Sequence, residues 1–309
     1  MNAHLGWLAA YALAQLALGA WIARRVRSAG DFFVAGRRLG PGLLFSTMLA
    51  ANIGAGSTVG ATGLGYADGL AATWWVLSAG LGSLVLALWI GPAIRRVAAQ
   101  HDLRTVGDYL EFRFGVTVRS TIAALLWVGA LFILAGQLIA VAWILNVAAG
   151  LPKLLGCVLA GALITAYFAA GGLLTSAYVN IVQLVVKIVG FAIAIPYALA
   201  AVFSAELSAA DAVLFILTTS LAQDFYKRFV NPQATDAQLL RVTRLTAVLA
   251  GTLGVAIALV AAGVVSALSI FYTIMGVSLF IPILGGLASP RVTSTDAMAA
   301  ILALSLIHI

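Results

Sequence analysis

The chain has 309 residues, of which 63% are hydrophobic and only 9% charged, with a mean hydropathy of +1.10 and a formal net charge of +7. Such a composition excludes a soluble enzyme or a disordered tail and marks an integral membrane protein. The positive charge does not point to nucleic acid, because the basic residues stand almost wholly at the ends of apolar runs, where they set orientation in a bilayer.

About 20 residues of helix cross the hydrocarbon. In chain order the runs long enough to do so are 4–23, 41–65, 72–94, 120–147, 153–170, 175–200, 204–223, 242–263 and 265–288. They are continuous rather than alternating, so they read as helices and not as barrel strands. The first run lacks a preceding basic region and a small-residue cleavage site, and Arg24, Arg25 and Arg27 follow it, so it reads as a retained anchor. A further apolar run begins near 297 and is still apolar at Ile309, which reads as a truncated end.

The second run is interrupted by Ala50-Ala51-Asn52-Ile53-Gly54-Ala55-Gly56-Ser57-Thr58-Val59-Gly60. Unwound backbone at membrane depth is tolerated only where protein buries it or where it lines a cavity, and transporters use such breaks to hold ions and solutes. The break is therefore the leading site expectation. Asn52 and Ser57 in it, with Gln137 in the fourth run, are expected to line a solute path, against the alternative of hydrogen bonds between packed helices.

Fifteen of the 17 Lys and Arg residues fall in the loops after runs one, three, seven and nine. Those loops are expected in the cytoplasm and the N-terminus outside. The stretch from Ile181 to Ala222 is nearly unbroken apolar sequence; keeping Lys227, Arg228, Arg241 and Arg244 on the basic side requires two crossings, with a tight reversal expected near Ala200 to Glu206.

Lys187 lies mid-run, too deep for its stem to reach the interface easily. It is expected to face the interior and to pair with Asp211 or Glu206, or to supply an ammonium in place of a metal cation. The single Cys157 and the scattered His4, His101 and His308 offer neither a metal site nor a nucleophile pair, so no enzyme and no cofactor are expected. Trp74, Trp75, Trp127 and Trp143 are assigned to interfacial belts or packing.

Asp31-Phe32-Phe33-Val34-Ala35-Gly36-Arg37, the Ala50–Ile53 segment and Gly65-Tyr66 together resemble the sodium:solute symporter family. Three further stretches are similar to the family's pattern: Thr105 to Phe114, Gly171-Gly172 through Gln183, and Asp224 to Arg228. The resemblance implies an all-α polytopic transporter of inverted repeats, the leucine-transporter type of fold, in one domain over 1–309. Its parts are an extra first helix at 4–23, a first repeat at about 41–202 and a partial second repeat at about 204–309. Core helices six and seven are missing from this pattern, since the stretch resembling helix eight follows helix five directly.

By that resemblance the sodium ligands fall on Ala50, Ile53, Ala205 and Ser208, with Ala209 where the family usually has a second hydroxyl. Asn180 stands where an Asp is common, so Asn180, Lys187 and Asp211 are the expected coupling residues. Val76 replaces an acidic residue of the family's sugar carriers, which disfavours a sugar. The expected activity is inward symport of a small polar solute with sodium, or a proton as the alternative, in the cytoplasmic membrane, with the lipid bilayer as the other partner. A transporter-like sensory membrane domain and a non-functional fragment are the competing readings. Solute and oligomeric state are not specified by the sequence.

Overall fold

The computed structural model describes residues 3–26, 32, 40–103, 105–193, 198–261, 263–289 and 291–308, and at 3–4, 191–193, 198–205, 277 and 304–308 the backbone alone. Arg27, Arg37, Arg38, Arg104 and most of the 31–37 motif lie outside these residues, as does the side chain of Ala205. Every element among them is helical.

α1 is Ala3–Ala23 and α2 is Pro41–Asn52, the latter started by Pro41 after an extended Gly40. After the break a wide turn, Gly56–Gly60, leads into α3, Ala61–Asp68. At Gly69 the backbone takes φ +62°, ψ −138°, and the chain folds back into α4, Thr73–Val85. The indole Nε1 of Trp75 donates to the Gly56 carbonyl at 2.9 Å; in a straight helix those two residues would stand about 28 Å apart. α4 passes through a wide turn at Leu86–Ile90, just before Pro92, into α5, Gly91–Gln100.

α6, Val106–Phe114, opens on a capping box between Thr105 and Asp108. α7, Val116–Ala149, is the central helix, buried almost continuously from Gly129 to Leu145 and closed by a left-handed Gly150. α8, Lys153–Ile193, carries a non-helical Gly172 (φ 55°, ψ −141°). A Cβ placed on Gly19 of α1 would lie 2.7 Å from Tyr167 and 3.5 Å from Thr175, which a straight helix would hold about 12 Å apart along its axis. The chain therefore reverses at Gly172, and α8 is two arms, as the separate runs at 153–170 and 175–200 predict. Only glycine fits there: φ is positive, and a Cβ would meet the Phe32 ring at 2.5 Å. Phe32 in turn packs edge-to-face on Phe168 at 5.8 Å.

α9 is Ala198–Thr219, continued as a wide helix to Val230; α10 is Asp236–Val260, α11 Val264–Ala288 and α12 Ser294–His308. The second arm of α8 and α9 run antiparallel: Ser176 meets Asp211, and Asn180 meets Ser208. This corrects the expected reversal near Ala200 to Glu206, which instead lies inside a helix. The chemistry of the sequence accounts for it, because Ala198-Leu199-Ala200-Ala201 are strong helix formers.

The core is built around α7, with the two arms of α8, α9, α10 and α11 against it. Glycines permit the closest approaches; a Cβ on Gly254 would strike Leu134 at 2.5 Å. Six helical stretches among the described residues are long and apolar enough to cross a membrane, and the one spanning Gly56–Gln100 is almost wholly exposed. Its outward Tyr66, Leu70, Trp74, Leu88 and Trp89 suit lipid rather than water.

Candidate functional site

The two ends of α2 are unlike. Its C-terminus stops in the middle of the bundle, where Ile53 is extended (φ −96°, ψ 91°). A helix end of this kind leaves carbonyls without donors and carries negative partial charge. The ammonium of Lys187, fully buried on the second arm of α8, donates to the Ala50 carbonyl at 2.7 Å and to the Ile53 carbonyl at 3.2 Å.

The start of the next half-helix is held from three sides. Gln137 Oε1 on α7 accepts the Ala55 N–H at 2.8 Å. Ser57 Oγ accepts the Gly54 N–H at 3.1 Å, and Trp75 secures the Gly56 carbonyl. Gly54 is pressed so closely on α9 that a Cβ there would lie 2.4 Å from the Ala209 methyl. Thr58 Oγ1 sits 2.9 Å from the Gly54 carbonyl and 2.5 Å from Glu206 Oε1.

Asp211, one turn beyond Glu206 on α9, accepts a hydrogen bond from Ser176, and Ser208 Oγ donates to Asn180 Oδ1 at 2.7 Å. Glu206, Ser208, Asp211, Asn180 and Ser176 are all buried. Glu206 Oε2, Asp211 Oδ1 and Asn180 Nδ2 have no hydrogen-bond partner. A polar seam therefore runs between the second arm of α8 and α9 and ends at the break.

Of the expected residues, the fold brings Ala50, Ile53, Lys187, Ser208, Asn180, Asp211 and Gln137 into this one region. It does not join them as expected. The Ala50 and Ile53 carbonyls face Lys187, whereas Ser208 faces Asn180. Asp211 does not pair with Lys187; the antiparallel register puts it opposite Ser176, three turns away along α8, and Glu206 is the charge whose field reaches Lys187. Gln137 caps backbone, while Asn52, exposed, bonds back to the Met48 carbonyl at 2.9 Å. Thr58 and Ser176 are missed by the sequence reading, and Trp75 proves to be a strut of the break. A hydroxyl inside the interrupted stretch itself, in a chain whose later apolar run carries Glu206, is the signal that was there for Thr58.

A second charged cluster stands at the other ends of these helices. Arg119 binds Glu111 at 2.6 Å, Asp224 at 2.7 Å and Asp108 at 3.1 Å; Arg228 also pairs with Glu111. Thr105 Oγ1 donates to Asp224 Oδ1 at 3.0 Å. Burial pushes the Asp224 carboxyl, which lies beyond the apolar run of α9, above the ordinary carboxylate range, and Arg119 draws it back. The cluster borders a cleft of about 530 Å³. Arg113 is tied at the same end to the Ser289 carbonyl at 2.6 Å, so basic loops that are far apart in sequence gather on one side.

The model of the family described as "SSF: Sodium:solute symporter family" matches residues 32–202. The human sodium/iodide cotransporter is 31% identical over 190 residues, covering 60% of this chain, and sheep sodium/glucose cotransporter 1 is 26% identical over 204 residues, covering 61%. The matches span 29% and 28% of those proteins' own lengths. A solved structure of a Na+-coupled sialic acid symporter in a substrate-bound outward-open state superposes with a TM-score of 0.73 at 14% identity, over 99% of this chain and 97% of that one. The fold is thus that of a sodium-coupled symporter, and with the family model matched over more than half its length, this chain belongs to the sodium:solute symporter family.

Proposed function

We propose that the chain is the transporter domain of a cation-coupled symporter that carries a small polar solute by alternating access around the break in α2. One observation carries this reading: backbone carbonyls at a helix end within the bundle are turned onto a cation, beside buried carboxyl groups on a neighbouring helix. Helix ends at membrane depth are costly unless they bind something, and a break there is a point about which two helix halves can tilt. Sodium is the cation in the names of the relatives, and iodide, glucose and sialic acid are their named solutes. Asn52 and Ser57 border the break and are the residues we assign to a solute path.

The orientation that fits the gathered Arg113, Arg119 and Arg228 is a cytoplasmic basic end, an external N-terminus and residence in the cytoplasmic membrane. A reporter fused at Lys153 should read external and one at Arg241 cytoplasmic. For transport, the purified chain in proteoliposomes should accumulate one of a panel of labelled small anions, sugars and polyols when an inward sodium or proton gradient is imposed. Its absence for every solute under both gradients overturns the proposal.

A further inference from the structure

We infer that Lys187 is a tethered cation that fills the position between the Ala50 and Ile53 carbonyls and so keeps sodium out of it. The family resemblance assigns those two carbonyls to sodium. In this chain they are the acceptors of a fully buried ammonium at 2.7 and 3.2 Å.

An ammonium and a sodium ion carry the same unit charge, and both are drawn to carbonyl oxygens at the negative end of a helix. They cannot share one carbonyl pair, since both would then sit within about 4 Å of each other in a low-dielectric interior. Of the two other expected ligands, Ala205 and Ser208, the Ser208 hydroxyl is engaged as a donor to Asn180, and Ala209 brings a methyl group against Gly54 where a second hydroxyl would otherwise stand. Two of the four oxygens that the resemblance assigns to sodium are therefore taken by the ammonium, and the family's second hydroxyl is replaced by a methyl group.

The charge has an answer on the facing helix. Glu206 is the acidic group whose field reaches Lys187, and Thr58, on the turn that follows the break, links it to the Gly54 carbonyl. Asp211, the next acidic group along α9, is held by Ser176. The stem of Lys187 thereby couples the second arm of α8 to the end of α2, in the way a bound ion would couple them.

The occupancy can be tested without any assumption about transport. The purified full chain in nanodiscs is melted in sodium chloride and in choline chloride at equal ionic strength, as wild type and as Lys187→Ala. The wild type should show no sodium-specific rise. Lys187→Ala, with the carbonyl pair vacated, should melt lower in choline and gain about 5 °C at sodium about a hundredfold above its Kd, and propylammonium chloride should restore it likewise. If Lys187→Ala does not fold, Lys187→Gln, which keeps a donor to one carbonyl, is used, and it should respond to sodium less than Lys187→Ala would but more than wild type. A saturable sodium-specific rise in the wild type, or an equal sodium response in wild type and variant, including none in either, overturns the inference. Absence of uptake in proteoliposomes bears only on the transport proposal.

Discussion

The chain holds two buried charged clusters that are satisfied in different ways. At the basic end, Arg119 meets three carboxylates at 2.6–3.1 Å, and its guanidinium plane fixes α6, the start of α7 and the end of α9 relative to one another. In the seam at the break, Lys187 meets two backbone carbonyls, and Glu206 and Asp211 each keep one oxygen without a partner. Direct, multiple ion pairs make a rigid clasp; point charges on carbonyls, with acceptors to spare, leave room for a rearrangement of helices. The difference suggests that the α6–α7–α9 end is a latch and the seam the part that moves.

The largest effect should come from cutting the clasp. Arg119→Met leaves Asp108, Glu111 and Asp224 without their shared counter-charge, and Asp224 is 6% exposed. Removing one partner of a buried pair costs about 3–5 kcal/mol, so this variant should show a collapse of monodisperse protein on fluorescence size exclusion. A melting temperature within a degree of wild type would mean that the clasp carries no weight and that the contrast between the two clusters is only apparent.

A middle effect tests whether the break is packed as tightly as its geometry says. Gly54→Ala forces a methyl to within 2.4 Å of Ala209, an overpacking worth about 1–3 kcal/mol. The double variant Gly54→Ala with Ala209→Gly frees that space and should recover part of the loss, with a coupling of at least about 0.5 kcal/mol in thermal melts. Strict additivity of the two changes would show that the helices separate freely there.

Much of this was readable in the sequence. The break announces itself because glycine and serine interrupt an apolar run, and the spans 242–263 and 265–288 lie within or close to α10 and α11 because their ends carry loop residues. Lys187 is conspicuous as a lone charge in a long apolar stretch. Its partners are not legible, since they depend on the register between two helices, and a reversal placed a few residues late rotates every pairing: with the turn put at 200–206, Asp211 and Glu206 look equivalent. Backbone carbonyls and the strut from Trp75 leave no trace in composition either. They are set by where a helix stops, and that is decided by tertiary packing.

The smallest effect, that of Asp211→Asn, is the sharpest test of the comparison when it is set beside Asp224→Asn, because one substitution made twice should give two answers. Asp224→Asn removes the negative charge from a side chain that Arg119 grips at 2.7 Å and Thr105 at 3.0 Å. A hydrogen bond to a charged partner is worth about 1.5–3 kcal/mol, and most of that should be lost, since the amide keeps the acceptor but not the charge. Asp211→Asn keeps an oxygen for the Ser176 hydroxyl and puts an amide where Oδ1 had no partner. A neutral amide is cheaper to bury than a carboxylate without a counter-ion, so the cost should be within about 0.5 kcal/mol, and the sign can favour the variant. Thermal melts of both variants in the same nanodiscs decide it. Equal losses at the two positions would show that Asp211 is gripped as firmly as Asp224, and the seam would then be a second clasp rather than a place where the helices are free to rearrange.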